Sequence, residues 1–261
     1  MNRITAIAAT VALAAGSLAL TTPTQAAPAK ARTYKVSAKA NIDVAVAKED
    51  TVKVKGRVTP KAAGEKVVLQ QRVGNKKTWK STDNAKVKRN GTYVLKDKPT
   101  TQGPREYRVL KPGSRGIKKG YSKALPVEVY KWEKLVFRPS GPRVNVEPAG
   151  VLIGAEYYGQ SLATTTAGTP SSVEYTLGRD KCTDLRATYA LTDSSATGSS
   201  GAVTISSGDK VLATHSLAIG TVVADEVLDV SDVFRLKIDL STTATPAAVA
   251  AVATPEVLCT R

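Results

Sequence analysis

The chain has 261 residues, a net charge of +16, two cysteines and one histidine. With a lone histidine and no CxxC pair, the usual His/Cys zinc centres are excluded. The charge is unevenly spread: residues 27–130 hold 26 Lys and Arg against 8 Asp and Glu, net +18, while residues 151–261 hold 7 against 12, net −5. That asymmetry predicts two modules, of which only the first calls for an anionic partner.

In chain order, Met1-Asn2-Arg3 is a short positive start, residues 4–20 are uncharged and rich in Ala and Leu, and Thr24-Gln25-Ala26 supplies small residues. This pattern predicts a signal peptide over residues 1–26, cleaved before Ala27, and a secreted, extracellular protein. The apolar run is about 17 residues, short of the ~20 that a spanning helix needs. No later stretch is long and apolar enough, so no transmembrane segment is expected. Residues 27–32 read as a short Pro/Ala/Lys tail.

Residues 44–46, 51–58, 66–73, 91–95 and 105–109 read as strands. Val52 and Val54 alternate with Lys53 and Lys55, the period-two signature of a half-buried strand. Turn signals separate the runs: Pro60, Gly64, Gly74-Asn75, Asn90-Gly91, Gly103-Pro104 and Pro112-Gly113. Short strands at this spacing predict a β-sandwich of about 100 residues, taken as residues 33–130. The order Gly56-Arg57-Val58-Thr59-Pro60, Gly64, residues 67–72, Trp79, Gly91-Thr92-Tyr93 and Tyr107-Arg108-Val109 resembles the bacterial immunoglobulin-like repeats of secreted actinobacterial proteins. That resemblance implies an immunoglobulin-like sandwich without the antibody-type disulfide, in which Trp79 reads as a core residue, the alternative being an exposed stacking residue.

Residues 131–150 carry Pro139, Pro142 and Pro148 and read as a junction that includes the first strand of the next module. Beyond it, residues 172–177, 185–191, 202–205, 211–212 and 234–240 read as strands. The clearest alternation points Phe234, Leu236, Ile238 and Leu240 inward. Residues 206–210 form a hairpin-type turn. Cys182 and Cys259 are an even pair in an exported chain, so they predict a disulfide. Closing a loop of about 78 residues is worth roughly 4–5 kcal/mol in the chain-entropy model.

Residues 153–162, 173–178, 185–191, 208–210, 228–236 and 255–259, in that order, resemble the NPCBM-like family, a galactose-binding-like jelly roll. The resemblance covers roughly residues 133–260. It implies a second β-sandwich, residues 131–261, of a kind that accompanies glycan-active enzymes and binds sugar. Ser161-Leu162-Ala163-Thr164 stands where the family carries a glycine-histidine motif. Sugar sites stack a pyranose on an exposed aromatic, which leaves Tyr157 and Tyr158 as candidate platforms.

Candidate chemistry is sparse. His215 lacks a Gly-x-Ser-x-Gly turn or other nucleophile context. Asp229 and Asp232 read as a solvated turn rather than a glycosidase pair. Asp225, Glu226 and Asp229 lack EF-hand spacing for calcium. A non-enzymatic protein without cofactor or metal is therefore expected. The basic turns Lys76-Lys77 and Lys88-Arg89, with the alternating lysines, form a candidate polyanion surface. Its bland counterpart is a solubilising surface that guards edge strands. Lysine predominates over arginine, which suits diffuse, salt-sensitive attraction. No RNP, zinc-finger or helix-turn-helix pattern supports specific nucleic-acid recognition. The expectation is a secreted binding protein of the cell envelope or extracellular matrix that contacts an anionic polymer or polysaccharide. The alternative is a structural, protein-interaction module without a glycan ligand.

Overall fold

The computed structural model describes residues 32–178 and 181–261; the predicted signal peptide, residues 1–26, lies outside the described residues. The chain is all-β, with nineteen strands and one 3-10 turn among the described residues. No described helix is long and apolar enough to cross a membrane.

The first nine strands are β1 (Lys35–Ala40), β2 (Val44–Val46), β3 (Val52–Thr59), β4 (Lys66–Val73), β5 (Lys80–Lys86), β6 (Thr92–Asp97), β7 (Arg105–Lys111), β8 (Gly120–Tyr121) and β9 (Leu125–Lys134). Strands β1-β3-β6 form one sheet, and β5-β4-β7-β9 belong to another, with β8 on β7 and β2 parallel to β9. Alternation builds the sandwich. Val52, Val54, Val58, Tyr93 and Leu95 face inward from the first sheet and meet Val67, Leu69, Tyr107, Val109 and Val129 of the second in one core cluster. Trp79 is not in it. It precedes β5, outside a core filled by Tyr93 and Tyr107, and lies half-buried on the outer side under Arg72 and Arg108.

One cation is inside. The Lys111 side chain is 2% exposed, with Nζ 2.7 Å from Glu65 Oε2. It also donates to the Pro112 carbonyl (2.7 Å) and to Ser114 Oγ (3.2 Å), and it sits 4.2 Å from the Tyr34 ring centre. Arg115 Nε approaches the other Glu65 oxygen at 3.0 Å. A buried charge persists only when paired and hydrogen-bonded, and here it ties residues 112–115 to the sandwich.

The remaining strands are β10 (Ser140–Val144), β11 (Val146–Ile153), β12 (Glu156–Thr164), β13 (Ser171–Thr176), β14 (Cys182–Leu191), β15 (Ser200–Ser207), β16 (Lys210–Ala218), β17 (Val222–Asp229), β18 (Arg235–Thr242) and β19 (Ala250–Cys259). Strands β10-β13-β18-β15-β16 form one antiparallel sheet; the facing layer runs β11-β12-β19-β14-β17. A second core cluster lies between them, with Tyr175, Tyr189, Leu185, Ile205, Leu236, Ile238 and Val252 buried in it. Phe234 does not join Leu236, Ile238 and Leu240; it is 55% exposed. A turn ends there: the Phe234 carbonyl accepts from Leu177 N–H and Gly178 N–H, and Val233 takes the interior place.

The predicted disulfide forms between Cys182 and Cys259, which lie directly opposite on β14 and β19. It closes the chain's end onto an inner strand, since β14 also pairs with β17. The expected junction begins as continuous strand. β9 pairs with β7 through residues 125–127, with β2 through 128–130 and with β19 through 131–134. Because β14 occupies one edge of β19 along its length, β12 and β9 share the other edge. Hydrogen bonding therefore passes without a break from one core to the other.

Candidate ligand-binding surfaces

The outer face of the three-stranded sheet is cationic. Burial alternates along β3, so Lys53, Lys55 and Arg57 point away from the core. Lys35 and Lys39 of β1 and Lys96 of β6 are exposed beside them. Register sets like charges opposite each other: Lys39 faces Lys55, and Lys53 faces Lys96. No described carboxylate forms an ion pair with any of these six side chains. Directly opposed like charges weaken a sheet unless something neutralises them.

The two predicted dibasic turns are kept apart. Lys76-Lys77 sits in the β4–β5 connection and Lys88-Arg89 in the β5–β6 connection, at opposite ends of a hairpin whose register runs from Lys66↔Lys86 to Gln71↔Lys80. All four side chains are exposed. Lys76 and Lys77 line an open depression of about 670 Å³ that also holds Arg72 and the buried Arg105 against Asp43, Glu106 and Glu128. Those carboxylates offset its positive charge, so the lysine face is the stronger anion attractor.

A second cationic arrangement was not foreseen as a group. On the outer face of β4 and β7, Gln70 is opposite Arg108 and Arg72 is opposite Glu106. The Arg108 guanidinium lies 4.1 Å from the Trp79 ring centre and 4.3 Å from that of Tyr121. Arg72 approaches Trp79 at 4.9 Å and Lys119 approaches Tyr121 at 5.9 Å. The alternation of residues 105–109 places Arg108 outside, but nothing local in sequence brings residues 79 and 121 to it.

Tyr157 and Tyr158 stand on the β11–β12 hairpin and point to opposite faces. Tyr157 is 69% exposed. Its ring lies across Gly150 and Gly159; a Cβ at Gly150 would fall 2.2 Å from Tyr157 Oη. With Leu152, Thr164, Asp193 and Val249 it borders a depression of about 680 Å³. The hairpin turn, Gly154-Ala155, has positive φ at both positions, and its two N–H groups donate to Asp193 Oδ1 (2.7 Å) and Oδ2 (2.8 Å). Tyr158 instead packs with Val151 and Ile153 on Ala163, Ala190, Ala251 and Ala253. Its hydroxyl donates to Glu156 at 3.0 Å, and burial, followed by that carboxylate, raises its pKa above the ordinary phenol value. Only Tyr157 therefore presents a platform.

His215 of β16 bonds Glu226 of β17 at 2.8 Å and stacks on the buried Tyr189 ring at 5.3 Å. It links the edge strands of the two sheets. Glu226 is thus engaged, Asp229 Oδ1 accepts from Ser231 N–H, and no described trio of His, Cys, Asp or Glu is arranged around a common point for a metal. No protein-family model and no curated protein matches the chain.

Proposed function

We propose that the chain is a secreted, non-catalytic binding protein of the cell envelope or extracellular matrix, held to an anionic polymer or polysaccharide. The observation that carries this reading is the β1-β3-β6 face, where Lys39↔Lys55 and Lys53↔Lys96 oppose each other and none of the four forms an ion pair with a described carboxylate. A solubilising surface gains nothing from stacking like charges in register, whereas a bound polyanion relieves their repulsion. The −5 balance of residues 151–261 directs such a polymer to the first module. The test is retention on immobilised heparin. Elution is expected to move to markedly lower salt when Lys39, Lys53, Lys55 and Lys96 are changed together to Gln; release at low salt, unchanged by the substitutions, overturns the reading.

A sugar contact in the second module is favoured by one feature, the exposed Tyr157 ring laid across two glycines. Such a ring offers an outward face for pyranose stacking. Tyr157→Ala is expected to abolish any glycan-array signal that belongs to this module, while unchanged signals would remove Tyr157 from the site.

A further inference from the structure

The outer face of β4 and β7 holds an arginine in an unusual setting. Arg108 Nε donates to Gln70 Oε1 at 2.9 Å, a neutral acceptor. Among the described residues no carboxylate pairs with Arg108, and no other described group accepts from its guanidinium. Its guanidinium itself lies against both the Trp79 and Tyr121 rings, so the plane is fixed in advance. Burial, then the neighbouring Arg72 charge, act to pull its pKa below the ordinary arginine value, and Tyr121 acts to raise it. Arg72 has its own partner in Glu106. Arg108 is therefore a partly desolvated, preorganised cation with its terminal donors unused.

We infer that Arg108, held between Trp79 and Tyr121, is a second and more selective anion site of the basic module, and that it grips single carboxylate or phosphate groups along an acidic glycopolymer. The inference rests on the polyanion reading above and adds to it a particular face and a particular donor. A planar guanidinium binds such a group through two parallel hydrogen bonds, which the lysine face does not offer. The ring faces decide against single-stranded nucleic acid. Base binding needs free aromatic faces, and here Arg72, Arg108 and Lys119 lie over the Trp79 and Tyr121 rings. Lys119, over the Tyr121 ring, flanks the site and adds a second positive charge beside it.

The experiment measures affinity of the full chain for polygalacturonate (carboxylate), polyphosphate (phosphate) and oligothymidylate at fixed salt. Arg108→Gln, Arg108→Lys and the control Lys210→Gln, an exposed lysine outside every candidate surface, are compared, with near-ultraviolet circular dichroism to verify the Trp79 environment. Arg108→Gln is expected to lose about tenfold on the preferred acidic polymer, the size of one charge-assisted pair. Arg108→Lys should lose nearly as much, and Lys210→Gln less than about threefold. Equal losses for Arg108→Gln and Lys210→Gln, or full affinity in Arg108→Lys, overturn the site while leaving the polyanion reading intact. Tightest binding to oligothymidylate, sensitive to Arg108→Gln, overturns the glycopolymer assignment. Failure of the unsubstituted chain to bind any of the three overturns the polyanion reading itself and the site with it.

Discussion

Lys111 shows how a single side chain is committed to structure within a module rich in solvent-facing lysines. Its ammonium has Glu65, Ser114 and the Pro112 carbonyl as partners, and removing it leaves the Glu65 carboxylate with only the Ser114 hydroxyl and exposed Arg115. Lys111→Ala should cost about 3 kcal/mol in urea unfolding, the scale for breaking a buried pair. The same contact has a pH signature. The Lys111 and Ser114 hydrogen bonds hold the Glu65 carboxyl below the ordinary carboxylate value. A depressed folded pKa gives stability that is present above the unfolded value of about 4.3 and is lost as pH falls through the folded value. Acid unfolding curves of Glu65→Gln should therefore be flatter than those of the parent below about pH 4. An unchanged acid limb would show that Glu65 does not couple to folding. Nothing in the sequence separates Lys111 from its neighbours except its place in phase with Tyr107 and Val109, which the alternation of β7 makes readable. Trp79 is the opposite case: residue type pointed to the core, but the space was already taken by two tyrosines, and only tertiary packing reveals it.

At the level of elements, alternation and turn chemistry made most strands readable, because each has one buried face. β3 and β18 follow the period-two rule along their lengths. The β11–β12 hairpin was harder. Its tip leaves the sheet at the irregularity between Ala149 and Val151, and Gln160 bends at φ 61°, so the face that looks outward elsewhere is packed on alanines. That is why Tyr157 and Tyr158, equal in sequence, differ in exposure. The Gly154-Ala155 turn is suboptimal, since an L-residue at φ 64° meets its own carbonyl. Ala155→Gly should stabilise the chain by about 0.5–1 kcal/mol in thermal or urea unfolding, the relief outweighing the added chain entropy. No gain would mean that the Asp193 bonds already offset the strain. Opening the Cys182–Cys259 bridge, with a sequence separation of 77, should cost roughly 4 kcal/mol by the loop-entropy relation, measured as the shift in urea midpoint of Cys182→Ala/Cys259→Ala.

For the whole molecule, the charge split of the sequence meets a continuous backbone ladder. The +18 region and the −5 region have separate cores, yet β9 gives its first six residues to β7 and β2 and its last four to β19. Side chains reinforce the join: Gln102 donates to Glu133 at 2.7 Å, Thr260 donates to Glu128, and Arg186 lies 4.2 Å from the Trp132 ring centre. Prolines at residues 139, 142 and 148 marked residues 131–150 as a junction, but they fall after β9 has already crossed. A shared strand couples the two cores, because melting either one strips β9 of half its partners and exposes its backbone groups. The chain should thus unfold in one calorimetric transition, with van't Hoff and calorimetric enthalpies in agreement. Inserting Gly-Gly between Tyr130 and Lys131 leaves both sets of β9 pairings available and removes only their rigid continuity. The insertion should split the transition in two, the half closed by the disulfide melting separately from the basic sandwich. Two resolved transitions in the parent chain would instead mean that the four pairs between β9 and β19 are too few to transmit cooperativity.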